Sequence, residues 1–234
     1  MRRKINNMSS IEDLIAEKGI TRICHFTRSN KLPHILSKES GIVANTELDD
    51  QIELLSQNDP LRLDGKQDYV CCTIQYPNTW YLRKIKDKDP LFKQWVVLLI
   101  NPKLAALSTT LYCHRNAAAS HGAFIKEGVE GFAGMFKQSV QGQRIITRTP
   151  RMLPCCPTDD QAEVLIYKNI SRSAILGVAV PTEEQARIEK ARLRFVGGVP
   201  EDIPFIIAPD LFEVTWSGAV RNGQVPSEIL YREG

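Results

Sequence analysis

Residues 94–101 read QWVVLLIN. The apolar run from Trp95 to Ile100 has strand rather than helix length and is closed by Gln94 and Asn101, so it predicts a strand buried on both faces. Working outward from this central strand, β-branched and aromatic residues between turn signals predict further strands at 20–27 (ITRICHFT), 68–75, 109–113, 162–167, 174–180, 205–208 and 212–216. Helices are expected at 11–18, with Ser9 and Glu12 as a capping box and Gly19 as the stop, and at 31–37, with Ser29 or Asn30 as the cap. Three more are expected: an acidic one at 46–59 ended by Pro60, a long one at 116–136, and a polar one at 182–194 opened by Thr182 and Glu184. Gly128, Gly131 and Gly134 recur every third residue without the GxGxxG spacing, which favours close helix packing over a nucleotide loop. Strands and helices do not alternate regularly, so the expected class is α+β, with residues 1–234 forming one domain.

With 234 residues, 43% hydrophobic and 24% charged, the chain can bury a sizeable core. The scatter of 13 Pro and 14 Gly argues against a coiled coil or a low-complexity polymer, and no internal repeat is visible. The longest apolar run is too short to cross a bilayer, and the first ten residues carry charge without a following apolar stretch, so a cytoplasmic location is expected. The cysteines are Cys24, Cys71, Cys72, Cys113, Cys155 and Cys156, and reduced thiols are expected of them. Cys24-His25 and Cys113-His114 raise the question of zinc, but no CxxC or HxxxH spacing seeds a tetrahedral site, and no metal is expected. The net charge of +3 is small but unevenly spread. Residues 137–158 hold Lys137, Arg144, Arg148 and Arg151 and no acid, whereas residues 45–60 hold five acids and no base. Either run by itself is a solvated face or a binding surface.

The signatures GxxxxGK[ST], GxSxG, HExxH and strand-embedded GxGxxG are all missing, which removes the common hydrolases and dinucleotide-fold enzymes. Polar residues remain at the ends of several predicted strands: His25 and Thr27 in HFT, Arg62 in DPLRLDG, Thr73 and Tyr76 in CTIQYPN, and Glu163 in DDQAEVLI. On pattern alone, Glu163 is either an edge or strand-start surface carboxylate or a catalytic acid or base.

Taken together, CHFTRSNKLPHIL, DPLRLDGKQDYVCCTIQYPN, RNAAASH and QAEVLIYKNI resemble, in order and over residues 20–180, the DarT family of DNA ADP-ribosyltransferase toxins. The resemblance implies an ADP-ribosyltransferase-like α+β fold in which two small packed sheets, with peripheral helices, enclose an NAD cleft. It implies catalytic roles for Glu163, Arg62 and His25, and NAD contacts from His25, Phe26, Thr27, Asn30, Arg62 and Thr73. The family's HFTxxxNL stands here as HFTRSNKL, so Asn30 comes one residue early and Lys31 takes its column. Also implied are NAD as co-substrate, single-stranded DNA as acceptor, a toxin or antiphage role, and a partner antitoxin with macrodomain-type ADP-ribosyl hydrolase activity.

The chemistry suits the residues. Cleaving a nicotinamide–ribose bond develops oxocarbenium character, which a carboxylate such as Glu163 stabilises, and a guanidinium such as Arg62 offers paired donors to a pyrophosphate. Arg144, Arg148 and Arg151, just before the loop to Glu163, are placed to track a single-stranded phosphate backbone. RNA as acceptor, a protein acceptor, a non-catalytic nucleic-acid-binding module and a metal enzyme built on Cys and His stay open at this level.

Overall fold

The computed structural model of the chain describes residues 10–47, 62–88, 92–142, 144–197 and 203–233. In chain order its helices are α1 (Ile11–Lys18), α2 (Leu32–Ser37), α3 (Thr79–Lys88), α4 (Gly128–Gly134), α5 (Glu183–Val196) and α6 (Trp216–Arg221). The strands are β1 (Ile23–Arg28), β2 (Ile42–Val43), β3 (Tyr69–Ile74), β4 (Trp95–Ile100), β5 (Leu111–Cys113), β6 (Ile125–Glu127) and β7 (Ser139–Gln141). They continue with β8 (Ile145–Thr147), β9 (Glu163–Tyr167), β10 (Asn169–Ile170), β11 (Ile175–Val180), β12 (Phe205–Ile207) and β13 (Ile229–Leu230).

All six residues of β4 are buried. Alternation divides them between two cores: Val96, Leu98 and Ile100 pack with Leu32 and Leu36 of α2, while Trp95, Val97 and Leu99 pack with Leu82 of α3 and Trp216 of α6. This is the two-faced central strand expected of QWVVLLIN. Around it runs the strand order β13-β12-β11-β4-β1-β3-β9-β5-β6. Among the described residues only β11 and β12 pair in parallel, and α5 lies in the crossover between them.

One junction shapes the molecule. Strand β1 pairs with β4 along its whole length, from Ile23↔Ile100 to Arg28↔Trp95, but meets β3 only at Ile23↔Ile74 and Cys24↔Thr73. Past Cys24 the two strands part, so the continuous strand order splits into two half-sheets hinged at β1 and β3. The cleft opens in that split, as the expected pair of sheets requires.

Several local expectations need correcting. Ser10 rather than Ser9 caps α1, its hydroxyl accepting from Asp13 N at 3.1 Å while Asp13 Oδ2 accepts from Ser10 N at 2.9 Å. Ser9 and most of the helix expected at 46–59 lie outside the described residues. Residues 116–136 are not one helix: Ser120, His121 and Gly122 all have positive φ, which a right-handed helix cannot continue, and β6 follows before the short α4. Of the three spaced glycines only Gly131 is closely packed, a Cβ there falling 3.1 Å from Tyr112 and Lys126. Residues 212–216 are not a strand: Phe212 ends a 3-10 turn (Pro209–Phe212), and Trp216 opens α6, where Trp216 and Val220, four apart, bury one helical face.

Candidate active site

Glu163 is the first residue of β9, opposite Cys113 of β5, at the point where the β3–β9 ladder stops at Cys72↔Val164. Its side chain is thus carried by an interior strand, not an edge, and is 8% exposed. The carboxylate is held from both oxygens: Asn116 Nδ2 donates to Oε1 at 3.0 Å and Ala117 N donates to Oε2 at 2.8 Å. Asn116 is aimed in turn, because its Oδ1 accepts from Ala118 N at 3.1 Å, leaving the NH2 group toward Glu163. The 116–119 turn that replaces the expected helix is therefore what grips the carboxylate.

On the other side of the split, His25 spans the opening. Its Nδ1 lies 2.8 Å from the Cys71 carbonyl of β3. A carbonyl only accepts, so Nδ1 carries the proton and Nε2 keeps its lone pair. Burial, aided by the positive charges of Lys31 and Arg62 and opposed by the bond to Cys71, lowers the ring to about 4, so the imidazole is neutral at physiological pH. Thr27, two residues on and on the same side of β1, is buried against the cleft, and Asn30 lines it from the following turn. Phe26, between His25 and Thr27 in sequence, also lines the cleft, its ring 6.1 Å from Tyr81 and 6.2 Å from Trp95. Thr73 Oγ1 reaches the Cys24 carbonyl at 3.5 Å, at the hinge.

Arg62 sits in a left-handed conformation (φ 35°) and is buried. Its fork grips Asp64 side-on, Nε to Oδ1 at 3.1 Å and Nη2 to Oδ2 at 2.8 Å, while Nη1 donates to the Tyr69 carbonyl at 2.6 Å and Nη2 also to the Lys66 carbonyl. In this arrangement Arg62 shapes the 62–69 turn at the wall of the cleft, its charge paired with Asp64.

These residues line one cleft of about 1400 Å³. That exceeds the roughly 300–1000 Å³ of ordinary small-molecule sites and leaves room for a dinucleotide beside a second substrate. The basic run divides. Arg144, on the β7–β8 hairpin, lines the cleft. Arg148 is turned inward, donating to the Cys156 carbonyl at 2.6 Å and the Leu153 carbonyl at 2.9 Å, so it braces the loop before Glu163. Arg151 is exposed away from the lining. Cleft-lining groups not singled out in the sequence are Asn116, Trp80, Lys84, Lys88 and Arg221. The i, i+4, i+8 spacing of 80, 84 and 88 was the available signal for three of them. Among the described residues, no three His, Cys, Asp or Glu side chains stand together as a metal site, and no helix is long and apolar enough to cross a membrane.

The chain resembles known proteins in both sequence and fold. A family described as "ssDNA thymidine ADP-ribosyltransferase, DarT" matches residues 24–212. No curated protein sequence matches it significantly. Thermus sp. 2.9 DarT in complex with NAD+ superposes with a TM-score of 0.57 at 19% identity, over 82% of this chain and 98% of that one. The same protein in complex with ADP-ribosylated ssDNA gives a TM-score of 0.52 at 18% identity, over 83% and 97%. Thermosipho africanus DarTG in complex with ADP-ribose gives a TM-score of 0.52 at 15% identity over 82% of this chain, which spans about half (51%) of the DarTG chain. At these identities the superpositions establish the fold, and it is the expected ADP-ribosyltransferase-like one.

Proposed function

This chain belongs to the DarT family of ssDNA thymidine ADP-ribosyltransferases, and on that premise we propose how its own residues transfer ADP-ribose from NAD to thymidine in single-stranded DNA. The observation that carries the reading is the Glu163 carboxylate, fixed at the cleft by Asn116 and Ala117. The lining fits NAD: a neutral imidazole offering Nε2 as acceptor, the buried hydroxyl of Thr27 and the positive charge of Arg62 stand around one large cavity. NAD supplies a glycosidic bond whose cleavage develops positive charge at the ribose carbon and releases nicotinamide.

Glu163, preorganised by two donors, opposes that developing charge without having to reorient. It also takes the proton from the attacking ring nitrogen of thymine as the new carbon–nitrogen bond forms. His25 and Thr27 orient the ribose, and Arg62 attracts the pyrophosphate. Phe26 supports His25 and Tyr81 by packing, and Asn30 and Thr73 border the same cavity. An acceptor base must be out of a duplex stack to enter, which favours single-stranded substrate. Nine strands drawn from both ends of the chain, β1 and β13 among them, follow one continuous strand order, so residues 1–234 are read as a single catalytic unit. A toxin role in the cytoplasm, as part of a toxin-antitoxin or antiphage system with a macrodomain antitoxin that removes the mark, is the physiological counterpart of this reaction.

The test incubates the protein with NAD and short thymidine-containing DNA, thymidine-free DNA, RNA or duplex DNA, and weighs the products by mass spectrometry. An ADP-ribosyl gain on thymidine-containing single strands is expected, lowered by at least about 100-fold in Glu163→Gln. Intact NAD and unmodified oligonucleotides in every arm would sink the proposal.

A further inference from the structure

Of Arg144, Arg148 and Arg151 only Arg144 lines the cleft, and helix α3 offers it a second basic face. Helix α3 turns one face into the cleft, and that face carries Trp80, Lys84 and Lys88, while Arg83 and Lys86 on the same helix do not line it. Four-residue steps put successive members of this face about 6 Å apart along the helix axis. Trp80 is 47% exposed, yet its indole is anchored, Nε1 donating to Asp160 Oδ2 at 2.9 Å. Asp160 lies three residues before Glu163, so the aromatic end of the face stands beside the loop that delivers the catalytic carboxylate. Lys84 and Lys88 are exposed, and neither makes an ion pair among the described residues.

We propose that this face of α3 is the rail for the acceptor strand, with a base stacked on Trp80 and the phosphates that follow it held by Lys84 and Lys88. The proposal rests on the single-stranded DNA reading above and assigns the strand its wall and direction within the cleft. Charge orders the rail. Asp160 sets a carboxylate against Trp80, where an uncharged base is admitted more readily than a phosphate, and the lysine end attracts phosphate. An anchored, half-exposed indole stacks on any base face without needing to be ordered first. Arg144 and Arg221 also line the cleft and add positive charge to it.

Binding of a fluorescent single-stranded oligonucleotide to the full chain, measured across a salt series, tests this. Lys84→Glu with Lys88→Glu is expected to weaken binding and to flatten the plot of log affinity against log salt by about 1.4, the share of two phosphate contacts. Arg83→Glu with Lys86→Glu makes the same charge change on the other face and is expected to leave the slope as in the wild type. Trp80→Ala is expected to lose about ten- to 100-fold in affinity. Trp80→Phe, which lacks the indole N–H but keeps a ring, is expected to recover most of that, separating stacking from the bond to Asp160. Equal slopes for the two lysine-face and control pairs, or wild-type binding by Trp80→Ala, would overturn the rail. Failure of the transferase reading looks different: oligonucleotide binding follows the rail, but no ADP-ribosyl mass is added to any strand.

Discussion

At Glu163 a buried carboxylate keeps both oxygens engaged by neutral donors, one from a backbone N–H and one from an amide that is itself aimed by Ala118. Removing the amide leaves Oε1 short of a donor and the side chain freer to rotate, so Asn116→Ala is expected to lower kcat for oligonucleotide modification by about tenfold. Asn116→Asp, which sets a second carboxylate against the first at the same distance, should be worse than Ala. Equal kcat in both variants would deny Asn116 this role. His25 supplies a pH signature. Its folded value of about 4 lies below the ordinary 6.5, so folding favours the neutral ring. That stability is complete above pH 6.5 and is lost as pH falls from there toward 4. Thermal midpoints measured across this window should fall more steeply for the wild type than for His25→Gln, and parallel curves would refute the assignment. Glu163, His25 and Thr27, singled out in the sequence, come together at the cleft because strongly patterned strands, β1 and β9, carry them. Asn116 was not, since its role depends on three successive left-handed residues, two of them non-glycine, that no local pattern announces.

The element that sequence pattern hid most fully is α3. Pro77 and Asn78 end β3 convincingly, and the same Asn78 then starts a helix, its Oδ1 accepting from Tyr81 N at 3.0 Å. Half of the residues that follow are charged, and only Leu82 and Ile85 betray a buried side. Three-residue strands such as those of the β7–β8 hairpin are likewise too short to show a period. The central strand, the polar α5 and the hinge strands β1 and β3 were readable because burial on one or both faces writes itself into several residues at once. The cap on α3 has a measurable weight. Asn78→Ala is expected to cost about 1 kcal/mol in urea unfolding, and Asn78→Asp, which keeps an acceptor, to cost less. Equal losses would show that the cap is not what holds the start of this helix.

Across the whole molecule, the cleft depends on β1 and β3 meeting over two residues and then separating, which leaves little ladder to hold the hinge. Arg22, just before β1, strengthens it: Nε donates to the carbonyl of Gln75, the residue after β3, at 2.8 Å, and Nη1 donates to Glu228 Oε2 at 2.7 Å. Its second nitrogen, Nη2, binds the other Glu228 oxygen, completing a side-on pair 206 residues apart in sequence. Thr21 adds to the clasp through Gln75 Oε1, which accepts from its backbone N at 3.0 Å. One guanidinium therefore links the start of β1, the end of β3 and the segment leading into β13. Glu228→Ala would strand a mostly buried arginine fork at the hinge. Breaking buried pairs costs about 3–5 kcal/mol, and the partial exposure of Glu228 lowers the expectation here to about 2 kcal/mol, or roughly 4–8 °C in thermal midpoint. Faster amide exchange at Ile23, Cys24 and Ile74 should accompany the loss, with exchange in β4 much less affected because both its neighbours stay paired. A midpoint within about 1 °C of wild type, or exchange that rises evenly through the sheet, would show that the hinge is held by the strand pairing and the core beneath it without help from this clasp.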